Sequence, residues 1–144
     1  MNPGGVIELQ DIVYPCESDD DTVPKESAIY RWSKMVAEGF ERMDRPISSA
    51  LSYKSQLEAA GFTNIVAAKY KWPLNRWPRD AKYKELGMWM WENMQSALAA
   101  LSLAIFTRPK DEGGLAWTPE ELEALLIEVR KDLKNLSLHS YFPM

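Results

Sequence analysis

Pro3-Gly4-Gly5-Val6-Ile7-Glu8-Leu9-Gln10-Asp11 is the stretch on which the fold turns. A Pro-Gly-Gly turn feeding an apolar run normally sits inside an α/β domain, leading into a strand. Val6, Ile7, Leu9 and Ile12 are the apolar positions, with Glu8, Gln10 and Asp11 between them. The pattern predicts a strand over 6–13, starting where a sheet should already exist. Glu8 and Asp11 would lie at its end and Tyr14 would leave it, which is where sites form in open α/β sheets.

Outward from that stretch the chain turns helical. Asp19-Asp20-Asp21-Thr22-Val23-Pro24 reads as a solvated acidic loop, with Thr22 or Asp21 as N-cap and Pro24 in the first helical turn. A helix follows over about 25–42, its apolar face made by Ile29, Trp32, Val36, Phe40 and Met43. A second covers about 48–60 and ends at Gly61. Ile65, Val66 and Ala68 centre a second strand over 62–70. Two X-Pro steps make 71–80 a loop. A long helix spans about 81–106, and its second half, from Ala97 to Phe106, is apolar almost all round. Such a helix must be buried on most sides, which points to a partner chain. Thr118-Pro119-Glu120-Glu121 is a capping box. It opens a last helix, to about 135, with Leu122, Leu125, Leu126, Val129, Leu133 and Leu136 in a stripe. No element is assigned to the tail over 138–144.

The expected fold is therefore mainly α with a small β component: one domain over 1–144, with four helices and two short strands. Two strands do not make a self-sufficient sheet. They pair with each other or across a dimer.

Composition narrows the functions. A chain of 144 residues is one domain by length. A net charge of -4, with no basic run, excludes a nucleic-acid footprint. One cysteine, Cys16, allows no internal disulfide and no Cys-based metal cluster, and is expected as a free surface thiol. The longest apolar run is too short to cross a bilayer, and no secretory leader is visible. A cytoplasmic location without a membrane partner is the expectation.

No G-x-G-x-x-G, P-loop, H-E-x-x-H or G-x-S-x-G is present, and a lone histidine cannot build a His-rich metal site. That histidine, His139, reads either as an acid/base residue or as part of a packed tail. Six Trp and seven Met are many for one small domain. Trp72, Trp77, Trp89, Met90, Trp91 and Met94 cluster in a loop and the helix after it. They read as core or as the lining of an apolar ligand pocket.

These residues resemble a known family. Pro3-Gly4-Gly5-Val6-Ile7-Glu8-Leu9-Gln10-Asp11 is similar to the P-G-G-W-I-E-x-Q-E/D of the fungal LaeA-like class I methyltransferases. Asp20-Asp21-Thr22 resembles their D-D-x-T loop, and Ala59-Ala60-Gly61-Phe62-Thr63-Asn64-Ile65 their A-G-F-x-x-V. Trp72-Pro73-Leu74, Trp77-Pro78-Arg79-Asp80 and Lys84-Glu85-Leu86-Gly87 resemble W-P-x-D and K-E-x-G. Trp117-Thr118-Pro119-Glu120-Glu121 and Leu138-His139-Ser140-Tyr141-Phe142-Pro143 complete the order, so the resemblance covers nearly the whole chain.

The resemblance implies the later half of such an enzyme, the part that supplies lid and substrate pocket. The S-adenosylmethionine site would lie before Met1, so no cofactor-binding residue maps onto this chain and no cofactor is expected. A last strand would lie beyond the tail. Its loss would leave raw sheet edges, which implies a homodimer. The expected function is a methyltransferase-derived, donor-independent enzyme of fungal secondary metabolism. It would cyclise, rearrange pericyclically or isomerise a small apolar polyketide- or terpenoid-type substrate. Tyr14, His139 and Asp80 are its candidate catalytic residues. Trp32, Trp77, Trp89, Met90, Met94 and Tyr141 are its candidate substrate contacts, with Lys71 and Arg76 as further polar groups and no metal ligand. The alternatives are a non-catalytic pseudo-methyltransferase subunit and one part of a split methyltransferase.

Overall fold

Four helices and two three-residue strands carry the regular structure of the computed structural model, which describes residue 2 and residues 4–144. The helices are α1 (Ala28–Arg42), α2 (Tyr53–Ala59), α3 (Ala81–Thr107) and α4 (Pro119–Lys134). The strands, β1 (Lys71–Pro73) and β2 (Tyr141–Pro143), pair antiparallel in the register Lys71↔Pro143, Trp72↔Phe142, Pro73↔Tyr141. The architecture is mostly helical with a small sheet, as the sequence implied, but the strands are not the ones it marked.

Residues 6–13 form no strand. Val6 is 91% exposed and Leu9 46%, and the first of these residues to join a backbone pairing is Val13, whose N–H donates to Pro143 O at 2.8 Å. A strand exists only where another takes its N–H and C=O groups, and no backbone among the described residues pairs with 6–11. Met1 and Pro3 lie outside the described residues, so the expected Pro-Gly-Gly turn is seen only from Gly4 onward. The strand expected over 62–70 is absent for the same reason. Pairing begins at Tyr70, which exchanges hydrogen bonds with Met144 (2.8 and 2.9 Å), and continues into β1, in the stretch that read as a loop. Its partner β2 is the tail to which no element was assigned.

Helix boundaries follow local chemistry. α2 ends at Gly61 in a Schellman motif: Phe62 N–H bonds Leu57 O and Gly61 N–H bonds Glu58 O, both at 3.0 Å, with Gly61 at φ +86°. α4 carries the expected capping box between Thr118 and Glu121. α3 stops at Arg108, which precedes Pro109 and is extended. Its end is closed by the returning chain: Leu115 N–H and Trp117 N–H donate to Ile105 O and Phe106 O at 3.0 and 2.8 Å. α1 differs from expectation. It starts at Ala28, and neither Thr22 nor Asp21 caps it. Asp132 on α4 does so, accepting from Ile29 N–H at 3.0 Å.

The core lies where α1, α3 and α4 meet. Trp32, Val36, Leu98, Phe106, Leu126 and Val129 are at or below 2% exposure. Gly39 lets α1 and α3 close in, since a Cβ there would stand 2.2 Å from Ile105 Cγ2. Cys16 is not at the surface as expected; it is fully buried against this core. The second half of α3 is covered on one side only. Leu98, Ser102, Ile105 and Phe106 face in, while Leu101 and Leu103 remain 39% and 55% exposed. Among the described residues, no helix is long and apolar enough to cross a membrane.

Candidate functional site

The last six residues organise the site, running between two other segments of chain. On one side Glu17 and Tyr141 exchange backbone hydrogen bonds at 2.9 and 3.0 Å; on the other lies β1. The side chains of His139 and Tyr141 thereby meet the acidic loop, and His139 meets the Trp77 turn as well.

His139 is fixed from three directions. Its Nδ1 is 2.5 Å from Asp20 Oδ2. Its backbone N–H donates to Thr22 Oγ1 at 2.9 Å, while that hydroxyl donates to Asp20 Oδ1 at 2.7 Å. Its ring stacks on Trp77 with centroids 4.7 Å apart. The bond to His139, then that from Thr22, holds the Asp20 carboxyl well below its ordinary 3.8. Trp77 is pinned in turn: its N–H bonds Asn75 Oδ1 and its Nε1–H bonds Ser140 O, both at 2.9 Å.

A second polar node sits beside the first. Tyr141 is buried, and its hydroxyl donates to Asp19 Oδ1 at 2.8 Å, with Glu17 Oε2 at 3.3 Å. Lys71 pairs with Asp19 and stands 5.1 Å above the Tyr141 ring. The Lys71 hydrogen bond, then that of Tyr141, lowers the Asp19 pKa. Burial first, and Asp19 second, raise the Tyr141 phenol.

An open groove of about 420 Å³ adjoins both nodes, lined by Lys69, Tyr70, Trp77, Arg79, Asp80 and Tyr83 among others. Its size falls in the roughly 300–1,000 Å³ range of small-molecule sites. Of the residues selected from sequence as catalytic or substrate-contacting, Trp77 and Asp80 line it, and His139 and Tyr141 stand against its lining residues Trp77 and Lys71. Asp80 is the N-cap of α3, accepting from Lys82 N–H and Tyr83 N–H at 3.0 and 3.1 Å.

The other selected residues lie elsewhere. Tyr14 packs on Phe142 and, edge-on, on Trp32, at 4.4 and 6.2 Å; burial, then the neighbouring Cys16, pushes its phenol up to about 12. Trp32, Met90 and Met94 are in the core, Trp89 is 56% exposed on α3, and Arg76 is at the surface. Asp11 accepts from the Tyr53 hydroxyl at 2.8 Å, and Glu8 pairs with Gln10. Sequence reasoning missed Asp20, Asn75, Lys69, Tyr70, Arg79 and Tyr83. Asp20 is 119 residues from His139, and no local pattern couples them.

Among the described residues, no three His, Cys, Asp or Glu gather as a metal site. A methyl donor's nucleoside finds no cradle at three of the glycines. Such cradles use glycines to admit a ligand to the backbone. Here the space beside Gly39, Gly87 and Gly114 is filled by Ile105, Asn75 and Arg108, whose atoms would lie 2.0–2.2 Å from a Cβ added at those positions. Gly4 and Gly61, both at positive φ, have open space beside them.

Compared with known proteins, this helical chain, with its aromatic groove beside the tail, is similar to fungal methyltransferases. The chain is 31% identical over 144 residues to the "Probable methyltransferase tdiE" of Emericella nidulans, covering all of this chain and 44% of that protein. It is 32% identical to the "Methyltransferase pytC" of Aspergillus terreus, over 99% of this chain and 42% of the relative. It is likewise 32% identical to the "Secondary metabolism regulator LAE1" of Cochliobolus heterostrophus, over 98% and 45%. The likeness to LaeA-like methyltransferases therefore holds along the whole chain, which spans less than half the length of these curated relatives. No family model matches the chain, and no solved structure matches it.

Proposed function

We propose that the chain is the substrate-handling part of a methyltransferase-derived catalyst of fungal secondary metabolism. Its reaction is a cyclisation, pericyclic step or isomerisation of an apolar polyketide- or terpenoid-type molecule, and it uses no methyl donor bound to this chain. One observation carries the reading: the Asp20–His139 pair is stacked on Trp77, a wall of the aromatic groove. Asp20 facing Nδ1 sets the imidazole's orientation, leaving Nε2 to take or return a proton. The groove's aromatic walls contribute by holding a flexible substrate in a reactive shape. The relatives' names support the setting, methyltransferases and regulators of secondary metabolism. The test is genetic. Deletion in the organism of origin should remove a metabolite that the wild-type gene restores and His139→Ala does not. Full restoration by His139→Ala overturns the acid–base role.

A second reading has its own support. The chain spans 42–45% of the relatives' lengths, and the apolar positions Val6, Leu9 and Val66 are exposed at 91%, 46% and 91%. Here another chain completes the fold: a second copy, giving a homodimer, or a protein that brings the donor-binding part, making this chain a regulatory or catalytic subunit of a split methyltransferase. Light scattering that gives the mass of one chain overturns the homodimer. Calorimetry showing S-adenosylmethionine bound only with the second protein present supports the split enzyme. Binding to this chain alone overturns the donor-free reading.

A further inference from the structure

We propose that the groove between residues 69–73 and the start of α3 takes aromatic small molecules that carry an ionised acid, such as a carboxylate or phenolate. The proposal deepens the substrate reading of the same groove and rests on it. The walls supply flat apolar faces: Trp77, Tyr70 and Tyr83, stiffened by Pro73 and Pro78. The charges around them are uneven. Lys69, Lys71 and Arg79 face one carboxylate, Asp80. Asp80 is committed to the first amides of α3, and Lys71 to Asp19. Lys69 and Arg79 are exposed and enter no ion pair among the described residues. Two cations outside any ion pair therefore stand beside aromatic rings, in a chain whose net charge is -4. A guanidinium suits a planar acid, which it meets with two parallel hydrogen bonds. An aromatic acid satisfies both features at once; a neutral terpene would leave the cations unused, and a simple anion would leave the rings bare.

The test uses two isosteric probes, naphthalene-2-carboxylate and naphthalene-2-carboxamide, titrated into the full chain and followed by NMR at the Trp77 indole and the Tyr83 amide. The carboxylate is expected to shift both signals and to bind about tenfold tighter than the amide, the gain of one half-exposed ion pair. Joint Lys69→Ala and Arg79→Ala substitution should remove that difference. High salt should act as the double substitution does. Equal affinity for acid and amide overturns the proposal, as does saturation that moves signals elsewhere or no binding of either probe at millimolar concentration. Repeating the titration with His139→Ala separates the two claims. Preserved selectivity there, with His139→Ala still restoring the metabolite, discards the acid–base step and keeps the groove. Lost selectivity in the wild-type protein discards the acidic ligand and leaves the proton chemistry standing.

Discussion

At the scale of single residues, burial decides what each polar group can do. Trp32 is fully buried, and its Nε1–H donates to Ser102 Oγ at 2.8 Å; that hydroxyl donates to Leu98 O at 2.6 Å. Ser102→Ala removes the acceptor and leaves a buried indole N–H unpaired, a loss of about 1–3 kcal/mol in urea unfolding. Adding Trp32→Phe removes the orphaned donor, so the double variant should lose less than the sum of the two singles. Strict additivity would show that the bond carries nothing. Cys16 obeys the same rule in its chemistry. Burial raises its thiol to about 11, partly offset by its hydrogen bond with Ser33. A thiol that is both protonated and enclosed should ignore Ellman's reagent at pH 8 until urea unfolds the chain. Stoichiometric reaction with the folded protein would contradict that burial. The composition counted this cysteine but could not place it, because one polar-flanked Cys carries no periodicity.

At the scale of elements, what was legible from sequence was what is built locally. The capping box at Thr118, the Gly61 stop, the Pro-bounded start of α3 and the stripe of α4 as far as Leu133 each depend on residues a few positions apart, and each forms; Leu136, expected in the stripe, lies beyond α4 and is 56% exposed. What sequence missed is built at a distance. β1 exists because the tail lies beside it, and residues 6–12 form no strand because no backbone among the described residues pairs with them, though their alternation is the better strand pattern. The site divides the same way. Trp77, Asp80, His139 and Tyr141 could be picked out as single residues, but the pairing of His139 with Asp20 spans 119 positions and has no local signature. The start of α1 is the testable instance. Ser27 occupies the N-cap position without a side-chain cap, and its hydroxyl bonds Pro24 O instead. Asp132 supplies the acceptor from α4. Asp132→Ala should therefore cost about 0.5–2 kcal/mol, the usual value of a lost N-cap, and Asp132→Asn less. Ser27→Ala should cost less than Asp132→Ala, and the reverse order in thermal melts would refute the remote cap. Gly87 tests the neighbouring element. Alanine is the better helix former, but its Cβ would fall 2.0 Å from Asn75 O, which is backbone and cannot swing aside. Gly87→Ala should destabilise by roughly 1–3 kcal/mol through overpacking, against its propensity. It should also disturb the Trp77 turn that Asn75 holds.

At the scale of the whole molecule, stability is tied to pH at both ends of the range, because residues 14–20 carry both sets of groups. The tail is clasped to the acidic loop by Asp19 and Asp20, whose pKa values are lowered below 3.8 by Lys71 and by His139 respectively. A lowered carboxylate binds its proton more readily in the unfolded chain. Its contribution is therefore present above the ordinary value and is lost as pH falls through the lowered one. Tyr14 and Cys16, on the same segment, are raised from 10.0 to about 12 and from 9.0 to about 11, chiefly by burial. Their protonated forms are favoured by folding, so their contribution is complete below about pH 9 and is lost as pH climbs through the raised values. Urea midpoints should therefore form a plateau from about pH 4 to about pH 9, falling on each side. The two limbs have separate causes and separate tests. Asp20→Asn should lower the plateau by breaking the bond to His139 and should flatten the acid limb, leaving the alkaline limb in place. Cys16→Ala should shift the onset of the alkaline limb from about pH 9 towards pH 10, where only the tyrosines remain, with the acid limb unchanged. An alkaline limb identical in the wild-type and Cys16→Ala proteins would mean that the thiol is not held protonated by the fold. An acid limb untouched by Asp20→Asn would mean that the clasp on His139 does not hold the tail.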